Sequence, residues 1–202
     1  MVAAATTGRR WTYADLEDLP DDDQMYDIVG GELIVRNAPG PEHAEVLTEL
    51  ITFLIAAQEA GYGRMYTTSS AVALDYAQHG DEAQDVPHPD LFFLRQDRLG
   101  IRGKRGWEGV PDLIVEILSP STRRRHFPGG THWQMFERNG VPHYWLADWR
   151  SRTIRQYTLV GEAYVEGHYN DPVILREGDT LTSPLFPGLS LPVQRVFRYV
   201  HR

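Results

Sequence analysis

The stretch PDLIVEILSPS, Pro111–Ser121, reads as a strand fit for a protein core, yet it carries two carboxylates, Asp112 and Glu116. Side chains alternate along a strand, so Pro111, Leu113, Val115 and Ile117 share one face while Asp112, Ile114, Glu116 and Leu118 share the other. In HPDLFFL, His88–Leu94, the same parity sets Asp90 with His88, Phe92 and Leu94. Neighbouring placement of the two strands would bring Asp90 and Glu116 together in a half-buried cleft. Two like charges about 5 Å apart at an effective dielectric near 20 repel by roughly 3 kcal/mol, so such a pair stays ionised only beside a cation. Magnesium, manganese or calcium suits oxygen ligands of this kind and leaves room for water and a phosphate. An arginine such as Arg102 or Arg124, making a structural ion pair, meets the same need, and spacing leaves both solutions open.

Outward from this strand, the chain alternates between elements. From Glu42 to about Ala60, Val46, Leu47, Leu50, Ile51, Leu54 and Ile55 recur at helical spacing, with Pro41 suited to the first turn and Gly61 to the end. YTTSSAVALDY (Tyr66–Tyr76), HPDLFFLR and PDLIVEILS favour three strands after that helix. The loop Asp75–His88, with His79, Asp81, Glu82, Asp85 and His88, reads as a solvated connection. GTHWQMFERNG predicts a second helix ending at Gly140, and PHYWLAD and RTIRQYTLV two more strands with a turn near Trp149–Ser151. Before the long helix, Thr12 and Asp15 open a short helix to about Leu19, and MYDIVGGELIV makes a hairpin on Gly30-Gly31. After Asp179, Pro184, Pro187 and Pro192 indicate an irregular arm with a brief helix near Val193–Tyr199. The order helix, three strands, helix, two strands predicts an α/β (mixed α+β) fold. A central mixed sheet is flanked by two helices, in a single domain over 1–202 with its core at about 42–160.

A formal net charge of -8 argues against a protein that coats nucleic acid through bulk electrostatics, which needs lysine and arginine facing the polyanion. A local basic patch remains, at Arg123, Arg124 and Arg125 with Arg102, Lys104 and Arg105 upstream. Such runs are most often solvated loops. The chain has no cysteine, which rules out disulfides and thiolate-held zinc or iron–sulfur clusters but leaves oxygen-ligated metals open. No apolar run approaches the roughly 20 residues of a membrane span, and Met1–Arg10 lacks the apolar centre of a secretory signal. The expectation is a soluble cytoplasmic protein with no membrane association.

The successive blocks WTYADLEDLPDD, YDIVGGELIV, APGPEH, HPDLFFL, PDLIVEILSPST, NGVPHYWLAD and SPLFPGLSL resemble those of the Uma-type endonucleases in the PD-(D/E)XK nuclease superfamily. VEILSPS with its upstream PD carries the resemblance most strongly. It implies a restriction-endonuclease-like core that hydrolyses DNA phosphodiester bonds with Mg2+ or Mn2+. Asp90 matches the first acid of the motif and Glu116 the second, and both would hold the metal. Nucleases of this kind that cut both strands are often dimers, so a homodimer is implied as well.

The chain departs from the pattern at its third catalytic position. Leu118 stands where a lysine usually follows the second acid, and His132 stands where members of the group supply a lysine from the next helix. His126, followed by the insertion FPGG, replaces an acid of the same segment. His132 is then a general base or phosphate contact, since imidazole titrates near neutrality, or the mark of lost activity. The competing function is a catalytically inactive nuclease-like protein that binds nucleic acid or a protein partner. His43 matches a histidine common in the group, and Glu42, Glu45 and Asp112 are further candidates at the cleft. Glu42 and Glu45 are also explained by the helix dipole. Arg123, Arg124 and Arg125 are candidate nucleic-acid contacts.

Overall fold

Gly30 and Gly31 adopt φ values of 58° and 80°, the left-handed pair that a two-residue hairpin demands. They turn β1 (Met25–Val29) directly onto β2 (Glu32–Arg36), with Val29 opposite Glu32 and Met25 opposite Arg36. The computed structural model describes residues 8–19, 24–36, 38–67, 70–120, 122–161 and 167–200. Ahead of the hairpin, the expected short helix is a 3-10 turn, Ala14–Asp18. Thr12 does not cap it by accepting through its hydroxyl. Its backbone N–H and hydroxyl both donate to the Asp15 carboxylate, at 2.8 and 3.1 Å.

After the hairpin comes α1 (Pro41–Glu59), which buries Val46, Leu50, Phe53, Leu54 and Ala57, while Ile55 falls outside the buried stripe. The strand that follows is β3 (Gly63–Thr67), which begins ahead of the expected Tyr66–Tyr76 segment. Gly63 sets its start. A β-carbon there would lie 1.9 Å from the Leu94 carbonyl oxygen of the neighbouring strand. Of the expected segment, Thr68 and Ser69 lie outside the described residues, and β4 (Val72–Ala73) is its only other strand.

The segment read as a solvated loop is instead pinned down. It contains α2 (Tyr76–His79) and β5 (Asp85–Val86), which pairs with β1. Buried Asp75 accepts the backbone N–H groups of Gln84 and Asp85, and Asp85 accepts Arg138 Nε at 2.8 Å and Asn139 Nδ2 at 2.6 Å. These acids are structural staples rather than a hydrated face.

β6 (Leu91–Arg95) is followed by β7 (Trp107–Glu108), which pairs in parallel with β4. β8 (Leu113–Ile117) leads through α3 (Arg123–His126) and α4 (Thr131–Arg138) to β9 (His143–Asp148). Gly140 at φ 75° ends α4 as expected. β10 (Thr153–Val160) returns antiparallel to β9, with β11 (His168–Tyr169) and β12 (Val173–Leu175) both on its outer edge. The arm carries β13 (Thr180–Leu181), β14 (Leu191–Pro192) and α5 (Val193–Val196). The main sheet runs β11-β10-β9-β8-β6-β3. Among the described strands of this sheet, only β8 and β9 are parallel, joined by the helical crossover that a parallel pair requires, so the sheet is mixed as expected.

The period of two in Leu113–Ile117 divides two cores. Leu113, Val115 and Ile117 join Leu91, Phe93 and Trp145 against α1, whereas Ile114 and Leu118 join Phe92, Leu94 and Tyr144 against Trp133 and Phe136 of α4. Each such side chain contributes about 1.5–3 kcal/mol on burial. The α1 core does not stop at residue 160. Leu181, Phe186, Leu191 and Phe197 of the arm belong to it. Arg195 Nε and Arg198 Nε hold the arm to α1 through Glu49, at 3.1 and 3.0 Å. Among the described residues, no helix is long and apolar enough to cross a membrane.

Candidate active site

Leu91 faces Val115 and Phe93 faces Leu113 across the antiparallel β6–β8 pair. Continuing that register by one residue sets Asp90 opposite Glu116, the convergence that the alternation implied. Both are buried, at 2% and 3% exposure, so each charge needs a partner.

Asp90 has several. Its Oδ1 accepts Arg36 Nη2 at 2.8 Å, and its Oδ2 accepts the Ile117 backbone N–H at 2.7 Å and lies 3.0 Å from His43 Nε2. Burial raises its pKa, but the His43 hydrogen bond, the charges of His43 and Arg36 and the Ile117 N–H outweigh it and bring the group down to about 2. An ionised carboxylate only accepts, so His43 Nε2 carries the hydrogen.

Glu116 fares differently. Burial, then the Asp90 charge, then Asp27 push its carboxyl well above the usual range, and Arg36, with Nη2 3.9 Å from Oε2, opposes them only in part. Glu116 is therefore the acid of the pair that holds its proton more tightly.

The hairpin brings a third acid. Asp27 of β1 accepts the His88 backbone N–H at 2.7 Å on Oδ1 and lies 3.1 Å from His132 Nε2 on Oδ2. Arg36 Nε is 3.8 Å away. Burial works against ionisation, but hydrogen bonds from His132 and His88 and the Arg36 charge hold Asp27 well below the usual range. Arg36 itself is raised by Glu116, Asp27 and Asp90 against the effect of burial, and its Nη1 donates to the His88 carbonyl. The His132 ring lies 4.8 Å from that of His126, whose Nδ1 is 2.8 Å from the Tyr144 hydroxyl.

Two cavities meet this cluster. One, of about 250 Å³, is lined by Asp90, Arg36, His43 and the Pro39–Gly40 entry to α1. The other, of about 20 Å³, is lined by Asp27, Glu116, Arg125, His126 and His132. A polar space of that size holds about one water.

The remaining candidates are dispersed. Glu42 lines neither cavity. Asp112 sits at the far end of β8 and is taken up by Arg98 Nη1 and the Arg95 backbone N–H, each at 2.9 Å. Arg123 pairs with Asp148, Arg124 is exposed, and Arg125 reaches the small cavity. The arginine beside Glu116 is Arg36, not Arg102 or Arg124. Arg36 and Asp27 are the residues that spacing missed. Asp27 carries the signal that singled out Glu116, an acid between the apolar Tyr26 and Ile28 of a strand.

Asp27, Asp90 and Glu116 share one guanidinium, Arg36. Fully ionised, this set has two negative charges in excess, the charge of one divalent cation. Carboxylate oxygens beside a water-sized space are the donor chemistry of magnesium or manganese. Among the described residues, no three acid or histidine side chains form a ready-made metal shell, so Arg36 or Glu116 must shift for all the donors to meet one ion.

Residues 13–194 match the Uma2 family, described as "Putative restriction endonuclease". Among solved structures, the chain is similar to a protein of Anabaena variabilis ATCC 29413 described as "a putative nuclease belonging to DUF820". The TM-score is 0.65 at 18% identity, over 93% of this chain and 98% of that one, a likeness of fold. No curated protein matches. The family match runs through the hairpin, α1, both acid-bearing strands and most of the arm, and on that span the chain belongs to the Uma2 family.

Proposed function

We propose that the protein is a divalent-metal-dependent nuclease that hydrolyses phosphodiester bonds of DNA. One observation carries this reading: three buried acids, Asp27, Asp90 and Glu116, converge on the single guanidinium of Arg36, which leaves the pocket short of positive charge. Glu116, Asp90 and Asp27 are the residues to hold Mg2+ or Mn2+. When bound, the ion supplies activation of water and neutralisation of charge on the phosphate.

The protein groups have separate tasks. Glu116 would hold the cation as a carboxylate, its proton released to solvent. The small cavity seats a water among Glu116, His126 and His132. Asp27 fixes the His132 ring, the arrangement of an oriented general base. Arg36, at the boundary of both cavities, places a permanent charge where a phosphate enters. Cleavage of both strands calls for two copies, and a homodimer belongs to this proposal.

The test is nicking of supercoiled plasmid with Mg2+ or Mn2+, with Mn2+ binding followed by calorimetry. Wild type cleaves and binds; Asp90→Asn and Glu116→Gln do neither. Wild-type protein that neither cleaves DNA nor binds Mn2+ refutes the reading. A second reading, a silent nucleic-acid-binding relative, is favoured by Arg36 standing between the acids and by a histidine at position 132. Its signature is salt-dependent DNA affinity without turnover, unchanged in Glu116→Gln, with cleavage gained in His132→Lys.

A further inference from the structure

We infer that the cavity of about 250 Å³ beside Asp90 is a pocket for one unpaired nucleotide of the substrate strand. The inference rests on the nuclease reading for the identity of the substrate and extends it to the substrate's form. A nucleotide that enters an enclosed pocket must be unstacked from its duplex or come from a free end.

Shape and lining support one nucleotide. The volume falls just below the usual range of small-molecule pockets, about 300–1,000 Å³, which is room for one base with its sugar and not for a paired step. Met25, Leu47 and Pro120 give apolar surface for the faces of a base. At the other extreme of polarity, Arg36 and Asp90 line the same space, the guanidinium shared among the buried acids, so a phosphate there adds to the demand for a cation. Gly40, also in the lining, is the N-cap of the 19-residue α1, and no side chain caps that end. The first backbone N–H groups of α1 therefore lack helical partners and add to the attraction for a phosphate.

Charge elsewhere points the same way. A duplex is normally held by rows of lysine and arginine along its backbone. Here the chain is net acidic, and Arg98, Arg123, Arg138, Arg195 and Arg198 are each committed to a carboxylate of the same chain. Affinity gathered inside a pocket replaces affinity gathered along a backbone.

The experiment is calorimetry of the full chain with thymidine 5′-monophosphate, which has no phosphodiester bond to cut, run in Mn2+ to offset the charge of the acids and separately in EDTA. Thymidine and inorganic phosphate are run separately. The expected result is one saturable site for the nucleotide, with each fragment at least about tenfold weaker. Leu47→Trp and Met25→Trp, each filling the pocket, lower nucleotide affinity by about tenfold or more while circular dichroism confirms a folded chain. In cleavage assays with Mn2+, an oligonucleotide duplex with a single-stranded overhang is cut at least about tenfold faster than a closed dumbbell duplex of the same sequence. The inference is overturned if wild type shows no saturable nucleotide binding, or if both folded tryptophan variants bind like wild type. Equal cleavage of the overhang and closed duplexes also overturns it and leaves the nuclease intact. Nucleotide binding without any cleavage refutes the nuclease and leaves the pocket.

Discussion

Glu116 stands opposite Asp90 across the β6–β8 pair, and the two groups are pushed in opposite directions, Asp90 towards ionisation and Glu116 towards keeping its proton. Asp90 collects Arg36, His43 and the Ile117 N–H and is ionised; Glu116 meets burial and two neighbouring carboxylates and stays protonated. The strain of this arrangement grows whenever solvent removes the Glu116 proton.

That strain is measurable as pH-dependent stability. A carboxyl raised by folding binds more protons in the native than in the unfolded state, so its effect on stability declines as pH rises from about 4.5 through the folded value. Glu116→Gln has no such slope. Thermal unfolding in EDTA between pH 4 and 9 should show the variant gaining in Tm relative to wild type as pH rises. A constant difference across that range rules the explanation out.

Arg36→Ala leaves three buried acids without their guanidinium and should cost about 3–5 kcal/mol by urea denaturation. Added Mn2+ should restore more stability to this variant than to wild type, because a bound dication supplies the missing charge. Equal effects of Mn2+ on both proteins would count against a cation at this cluster.

His126 gives a slope of the opposite sign. Burial, then the nearby His132, holds its ring well below the usual 6.5, so the unfolded chain takes up the proton first. Stability supplied by the neutral ring is complete above about pH 6.5 and is lost as pH falls through the folded value. His126→Gln keeps a polar partner for the Tyr144 hydroxyl and cannot protonate, so its stability should fall less steeply between pH 7 and 5.

Phe186 packs on the rings of Phe53, Phe93 and Trp145, with centroids 6.0, 4.8 and 6.5 Å away. Phe186→Ala should cost about 3–5 kcal/mol by denaturant unfolding, as for a fully buried aromatic in a core. A loss under about 1 kcal/mol would mean that the arm is a covering and not part of the core.

Much of this was legible in sequence, and the reasons are physical. The alternation in PDLIVEILS depends only on the pleat, so it correctly divided Val115 from Ile114 and brought Glu116 to Asp90. The long helix and the glycine hairpin rest on equally local rules. Asp27 and His132 were not paired in advance because they lie 105 residues apart, and no local period links them. Arg36 was overlooked because a hairpin was read for its turn and not for what its far end delivers. The strand Gly63–Thr67 begins ahead of the segment Tyr66–Tyr76 because Gly63 and Arg64 have no strand-like composition and are paired only through their neighbour β6. Asp75 and Asp85 passed for solvated acids because their partners are backbone N–H groups and the distant Arg138 and Asn139.

The arm that completes the α1 core also sets an order of events during synthesis. Until Phe186 and Phe197 have left the ribosome, the α1 core lacks part of its cover, and Glu49 waits for Arg195 and Arg198. A nascent chain thus completes the core under the Asp90 pocket only when nearly all of the described residues have emerged, and a message cut short yields a product with exposed apolar surface that is prone to clump.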